Sequence, residues 1–325
     1  MAKLLVTGGA GFIGSNFIRM WLSNNPDDKI VNLDKLSYAA DLRNLDDLSS
    51  SSRYHFVKGD ICDFKLLTEL MKDVDLVVNF AAETHVDRSI ENSSDFIKTN
   101  VEGTRSLLEA ARVNGGLRFH HVSTDEVFGS LSLDDPKFNE ETPYDPRSPY
   151  SASKASSDHL VRAYYHTYSL PITISNCSNN YGPYQFPEKL IPLFILKLLK
   201  GQKVPVYGSG NNIRDWIHVD DHNMGVEKII KKGKIGDTYC LGGGNERSNL
   251  DITHQILKIL NLDDTKIEYV SDRLGHDFRY AIDFSKARDE LGFEPQVSFE
   301  KGLLDTVNWY KNKVSFYEES FNIRS

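Results

Sequence analysis

The chain predicts an α/β fold, a doubly wound parallel sheet followed by a smaller C-terminal α/β region. Three observations point there. In the first half, short continuously apolar stretches alternate with helical ones, the pattern of strands covered by helices on both faces. The chain opens Lys3-Leu4-Leu5-Val6-Thr7-Gly8-Gly9, a strand running straight into a glycine turn. From about Tyr181 the texture changes, with Pro, Gly and Tyr crowded in Tyr181-Gly182-Pro183-Tyr184 and Val206-Tyr207-Gly208-Ser209-Gly210. The expected division is residues 1–180 for the large sheet and 181–325 for the smaller region, with the chain crossing between lobes.

Taken in order, Lys3–Thr7, Ile30–Asp34, Tyr54–Val57, Leu76–Ala81 and Phe119–Ser123 read as short buried strands. Helical patterns lie between them, notably Phe12–Ser23 and Asp95–Val113. A further helix is expected from near Pro149 past Tyr164, then a strand at Ile172–Asn176. In the second region, strands at Thr238–Leu241 and Ile267–Val270 sit among helices at Leu250–Leu260 and Phe299–Tyr310. Ser49–Ser52 is a surface loop, and no internal repeat is visible.

Composition bounds the function. With 325 residues, 40% hydrophobic and 26% charged, the chain fits one large or two coupled globular domains. A net charge of -8 argues against a nucleic-acid partner, which needs a basic face to displace counterions. It still allows a small anionic ligand held by local dipoles and arginines. The apolar runs are too short to span a bilayer, and a strand beginning at Lys3 leaves no room for a signal peptide, so a cytoplasmic setting is expected. Cys62, Cys177 and Cys240 are odd in number and widely spaced, the pattern of reduced thiols. No metal is expected, because the histidines lack ligand spacing and neighbours His120 and His121 point to opposite faces of a strand.

The turn after the first strand reads Thr7-Gly8-Gly9-Ala10-Gly11-Phe12-Ile13-Gly14, a Rossmann-type fingerprint with glycines at positions 8, 11 and 14. Small residues let the backbone approach a pyrophosphate, which sits on the helix N-terminus. Asp34 follows Gly14 by twenty positions and can accept from the adenosine ribose hydroxyls. Its charge would repel a 2′-phosphate, favouring NAD over NADP, a preference that Lys35 weakens. Asp60 and Ile61 are placed to meet the adenine, and Ala81-Ala82 are small where a cofactor could pass or where helix and sheet simply pack.

Tyr150 and Lys154 stand at i and i+4 on one helical face. The ammonium is expected to lower the tyrosine pKa, so that a phenolate can take a proton from a substrate hydroxyl. Thr124-Asp125-Glu126 follow the fifth strand, at the carboxyl edge where ligands bind in such sheets. Adjacent carboxyls repel, so one can stay protonated while the other ionises, giving an acid and a base. Alternatively, Thr-Asp-Glu is good capping chemistry for a following helix. Oxidising a hydroxyl needs only the Tyr–Lys pair. The two acids gain a purpose if a carbon also loses a proton and water is expelled.

Together these residues resemble the extended short-chain dehydrogenase/reductase superfamily, and within it the dTDP-glucose 4,6-dehydratase family. The resemblance runs over nearly the whole chain, through Asp34–Ala39, Ala81–Ile90, Ser123–Val127, Tyr150–Lys154, Cys177–Pro192 and Asp272–Asp277. It implies conversion of dTDP-glucose to dTDP-4-keto-6-deoxyglucose with tightly bound NAD. Tyr150, helped by Lys154 and Thr124, would deprotonate the C4 hydroxyl as hydride leaves C4. Glu126 would take the C5 proton, Asp125 would protonate the departing C6 hydroxyl, and the hydride would return to C6. The NAD contacts implied are Gly8, Gly11, Phe12, Ile13, Gly14, Asp34, Lys35, Leu36, Ser37, Asp60, Ile61, Phe80, Ala81, Ala82, Thr84, Thr99, Tyr150, Lys154 and Asn180. Thr84, Thr124, Asn179, Lys189, Leu190, Pro205, Val206, Tyr207, Arg214, Asn249, Asp272, Arg273, His276 and Asp277 would hold the sugar nucleotide, with Arg214 suited to the pyrophosphate or, alternatively, to an interdomain salt bridge. The helices at 100–113 and 151–165 resemble the pair that forms a homodimer contact in the family, though their apolar stripes also suit plain core packing.

The chain departs from the family pattern at Asn176, Phe128, Leu274 and Phe278, where Arg, Tyr, Pro and Arg are usual; none of these removes a group from the cycle. UDP- or CDP-glucose remain alternative substrates. A 4-epimerase is another reading, but it would leave Asp125 and Glu126 without a task. A catalytically silent NAD-binding regulator is the reading from another class, and it would be expected to lack Tyr150 or Lys154.

Overall fold

The computed structural model describes residues 1–272 and 275–317. Its large sheet contains β1 (Lys3–Thr7), β2 (Lys29–Asp34), β3 (Tyr54–Lys58), β4 (Leu76–Asn79), β5 (Arg118–Thr124) and β6 (Ile172–Cys177). Further along the chain come β7 (Asn179–Tyr181), β8 (Val204–Tyr207), β9 (Ile213–His218), β10 (Thr238–Leu241), β11 (Glu246–Ser248) and β12 (Ile267–Val270). The seven-stranded sheet runs β10-β6-β5-β4-β1-β2-β3, with every pairing parallel.

The strands are apolar throughout because both faces are covered. In β1, Leu4 and Val6 belong to one core with Phe17, Ile18 and Trp21, whereas Leu5 faces another with Val31, Leu107 and Phe119. The period of two thus sends alternate residues to opposite layers, each fully buried leucine being worth roughly 1.5–3 kcal/mol. From β1 the order runs outward through β2 and β3, then returns to place β4 on the other side of β1. That reversal opens a crevice beyond the strand carboxyl ends.

One strand crosses lobes. Thr238–Leu241, which the sequence places with the smaller region, forms β10 and completes the large sheet beside β6, pairing Thr238 with Ile174 and Leu241 with Cys177. Its Tyr239, Cys240 and Leu241 are fully buried, and a position covered on both faces accommodates all three.

The helix expected over Asp95–Val113 is also not uniform. It divides into Ser94–Phe96, a π-helical stretch Ile97–Gly103, and an α-helix Thr104–Val113. The wide turn buries Thr99, Asn100 and Gly103 together. Asn100 uses both amide ends on Glu83, accepting from its N–H (2.9 Å) and donating to its carbonyl (3.0 Å), and also donates to Ser153 Oγ (2.8 Å).

The helix Pro149–Tyr168 begins at a capping box between Ser148 and Ser151, with Pro149 in its first turn. It therefore presents Tyr150, Lys154 and Asp158 at successive i+4 positions along one face, beneath β5 and β6.

In the smaller lobe, β11-β9-β7 and β12-β8 form two short sheets. Helices Leu190–Leu199, Asn249–Ile259 and Phe299–Lys311 close over a core containing Phe194, Ile195, Ile256, Phe299, Leu303 and Tyr310. Among the described residues, no helix is long and apolar enough to cross a membrane.

Candidate active site

A cleft runs along the carboxyl ends of β1, β2, β4, β5 and β6, with about 1490 Å³ of empty space when its open mouth is included.

At one end, the turn after β1 meets the chain leaving β4. Gly8 has φ +70°, and a Cβ there would lie 2.7 Å from Ala81 N. At Gly14 a Cβ would lie 2.5 Å from the Gly8 carbonyl oxygen. Both positions thus require glycine for close approach. The helix Phe12–Asn24 starts at Gly11 with no side-chain cap and no acidic residue in its first turn. Its first N–H groups and positive dipole end face the cleft, the arrangement that accepts a pyrophosphate. Asp34 is nearly buried, and its carboxylate receives Ala10 N–H (3.0 Å) and Leu36 N–H (2.8 Å). Burial raises its pKa against those two donors. Asp34 therefore braces the glycine turn as well as facing the cleft. Lys35 donates to Thr99 Oγ1 (2.9 Å) and pairs with Glu83 (3.2 Å). These features fit an adenine dinucleotide.

Gly11, Phe12, Ile13, Ser37, Ile61, Phe80, Ala82, Thr84, Asn179, Asn180 and Lys189 also line the cleft. Leu36, Asp60 and Leu190 do not. Leu36 takes φ +57° as its N–H turns back to Asp34, Asp60 accepts from Cys62 N–H (2.9 Å), and Leu190 starts a helix.

At the other end stand the acids. Thr124 closes β5 and caps the turn Asp125–Phe128, accepting from Glu126 N–H (3.3 Å), so capping and site chemistry coexist there. Its hydroxyl also donates to Asp125 (3.3 Å). Asp125 is 2% exposed, and its Oδ2 is buried without a hydrogen-bond partner among the described residues. Burial, then the charges of Glu126 and Asp215, hold its carboxyl well above the usual range. Glu126 is only half-buried. A buried carboxyl that holds its proton more tightly than usual thus sits beside a half-buried acid in contact with the cleft.

Tyr150 corrects the sequence reading. Burial, then the charge of Glu126, raises its pKa well above that of an ordinary phenol, with a hydrogen bond from Thr124 acting the other way. The Lys154 ammonium, outweighed by these, donates to the Val122 carbonyl (2.8 Å) and lies 3.4 Å from His121 Nε2.

The remaining sugar-nucleotide candidates form a second group outside this cleft wall. Arg214 donates to the carbonyls of Ile213 (2.7 Å) and Asp277 (2.9 Å) and stacks 4.2 Å over Tyr280. Asn249 N–H reaches the Asn212 carbonyl (3.0 Å), and Asn212 reaches that of Asp277 (3.1 Å). His276 contacts Asp272 (2.6 Å) and meets the Tyr207 ring edge-on. Pro205 pairs with Glu268 across β8 and β12, whereas Val206 is buried in the small-lobe core. Arg273 and Leu274 lie outside the described residues. Arg214 lowers the pKa of Asp125, and Glu126 raises that of Tyr280, so the two groups adjoin.

The family described as GDP-mannose 4,6 dehydratase matches residues 5–306. A dTDP-glucose 4,6-dehydratase of Xanthomonas campestris pv. campestris (strain B100) is 52% identical, over 95% of this chain and 93% of its own. The chain belongs to the dTDP-glucose 4,6-dehydratase family. Another family member, from Escherichia coli, is 48% identical over 97% of this chain and 95% of its own. DesIV, the dTDP-glucose 4,6-dehydratase of Streptomyces venezuelae solved with NAD bound, superposes with a TM-score of 0.95 at 48% identity, covering 98% of this chain and 99% of its own. The family consists of NAD-dependent lyases within the extended short-chain dehydrogenase/reductase superfamily.

Sequence reasoning missed Val122, Ser123, Cys177, Gln185, Phe186 and Glu188, which also line the cleft. Most stand one or two positions from a named residue, so strand-end placement could have found them. Burial pushes the Cys177 thiol up to about 12, which leaves it a wall rather than a nucleophile.

Proposed function

We propose that this enzyme converts dTDP-glucose to dTDP-4-keto-6-deoxyglucose, with NAD held by the glycine turn, Asp34 and the wall from Phe80 to Thr84. The observation that carries the reading is the pairing of buried Asp125, whose pKa is pushed well up, with half-buried Glu126 beside Tyr150. Bound NAD supplies a hydride acceptor for C4 and a hydride donor for C6. Tyr150, helped by Thr124 and by the Lys154 ammonium one helical turn away, removes the C4 hydroxyl proton. The resulting ketone acidifies C5, whose proton Glu126 takes. Asp125 gives its proton to the C6 hydroxyl, which leaves as water, and Glu126 returns a proton to C5. A 4-epimerase needs no such pair.

Arg214 and the group around Asp277 are assigned to the nucleotide. The ligand displaces backbone carbonyls as partners of the guanidinium, which matches phosphate in geometry. The exposed apolar residues Ile97, Val113 and Tyr168 on neighbouring helices support a homodimer through them, and three free thiols suit a cytoplasmic setting. Separate incubation with dTDP-, UDP- and CDP-glucose, with mass-spectrometric detection of water loss, tests the reading. Dehydration of the UDP or CDP sugar in preference to the dTDP sugar would overturn the base assignment.

A further inference from the structure

Lys154 is 4% exposed, and among the described residues its ammonium touches no carboxylate directly. Isolated, such a charge would be costly and would tend to neutralise. Behind it lies a buried polar chain to which the proposed chemistry gives no task.

That chain starts on β1. Thr7 hydroxyl accepts from Ala81 N–H (3.4 Å) and so donates to Asn79 Oδ1 (2.6 Å). This fixes the amide, whose Nδ2 then donates to His121 Nδ1 (3.1 Å). With Nδ1 accepting, the imidazole proton belongs on Nε2. Nε2 lies 3.2 Å from Ser157 Oγ, 3.4 Å from Asp158 Oδ1 and 3.4 Å from Lys154 Nζ. The other oxygen of Asp158 accepts from Ser123 (2.8 Å), Tyr144 (2.9 Å) and Asn176 (3.4 Å). His121 and Asp158 are both 0% exposed.

Resting on the function proposed above, we propose that His121 and Asp158 are positioning residues for Lys154: the carboxylate is its counter-charge, the neutral imidazole the spacer between them, and together they hold the ammonium charged and aimed beneath the site. The charges bear this out in direction. Burial lowers the Lys154 pKa, and Asp158 is the leading opposing cause. His121 is pushed down to about 4, first by burial and then by the Lys154 charge, so the ring is neutral near pH 7. The other titratable or charged groups acting here are Arg162 on the same helix, Tyr144 from the loop before it, Cys177 from β6, and Arg118 and His120 on β5. Of these, Cys177 is the one that supports the Lys154 charge.

Two measurements test this. In Asp158→Asn, Lys154 loses its counter-charge, so it deprotonates at lower pH. The alkaline limb of the kcat/KM profile should then move down by about one pH unit or more. An unmoved limb, even with activity uniformly reduced, would reduce Asp158 to a packing role and overturn the proposal. The second needs no substrate turnover. In Lys154→Met, the His121 imidazole is released from the neighbouring cation and left facing Asp158. Its pKa, read by nitrogen-15 NMR, should rise from about 4 by at least about one unit. An unchanged His121 titration there overturns the coupling whether or not Asp158→Asn folds. Failure of the proposed function would appear separately, as no dehydration of any nucleotide sugar by the wild-type enzyme.

Discussion

Replacing Glu126 by Gln removes the one base assigned to C5 while keeping the side chain's shape. A positioned general base contributes about 10²–10⁴-fold, or roughly 3–5 kcal/mol of barrier. The structure places this case toward the upper end, because no substitute is at hand. Asp125 holds its proton through burial, and Tyr150 is committed to the C4 hydroxyl. The same substitution acts oppositely on the first step. Glu126 is the leading charge raising the Tyr150 pKa, so its loss makes the phenol easier to ionise. The variant should therefore oxidise C4 at least as readily at a given pH and stall before elimination. Rapid-mixing absorbance of the reduced nicotinamide, followed by mass spectrometry of the sugar nucleotide, separates the steps. Reduced cofactor should accumulate while water loss falls by about a thousandfold. Water loss within a factor of three of wild type would refute the assignment of Glu126 as base.

Other perturbations have equally definite signs. Asp125 binds its proton more tightly folded than unfolded, so it lowers stability as pH rises from the ordinary value of 3.8 toward its raised one. Asp125→Asn should abolish dehydration yet raise the Tm at pH 8 by about 2 °C or more, with the gain vanishing near pH 4; equal Tm values at both pH extremes would contradict the burial argument. Gly8→Ala places a methyl 2.7 Å from Ala81 N at a positive φ, and should weaken NAD binding at least about tenfold in a fluorescence titration, through a strain of about 1–2 kcal/mol. Phe299 is fully buried in the small-lobe core, so Phe299→Ala should cost about 3–5 kcal/mol in a urea denaturation series; a loss below 1 kcal/mol would mean that the core collapses around it.

Much of this architecture was legible because local chemistry and tertiary role coincide. The strand at Lys3–Thr7 and its glycine turn are marked by apolar residues and by glycines that no side chain could replace. Tyr150 and Lys154 share a helical face by spacing alone. What escaped depends on long-range contacts. The place of Thr238–Leu241 in the large sheet follows from its pairing with β6, and four apolar residues carry no address. The state of Tyr150 depends on its burial and on the neighbouring Glu126 charge, which spacing along one helix does not show. Asp34 looked like a ribose ligand and is also the brace of its own loop, because two backbone donors converge on it.

The π-helical stretch has a consequence for anyone redesigning this enzyme. A regular helix would advance about 100° per residue, so trimming the surplus residue from Ile97–Gly103 would rotate Thr104–Val113 by that angle. Leu107, Leu108 and Ala111 would swing off the sheet, and Arg105 or Arg112 would be driven toward it. Keeping the C-terminal half in place would instead turn Thr99 away from Lys35 and Asn100 away from Glu83. Idealising this helix for thermal robustness would trade ligand geometry for hydrogen-bond regularity, and a deletion scan across the segment should find no tolerated position.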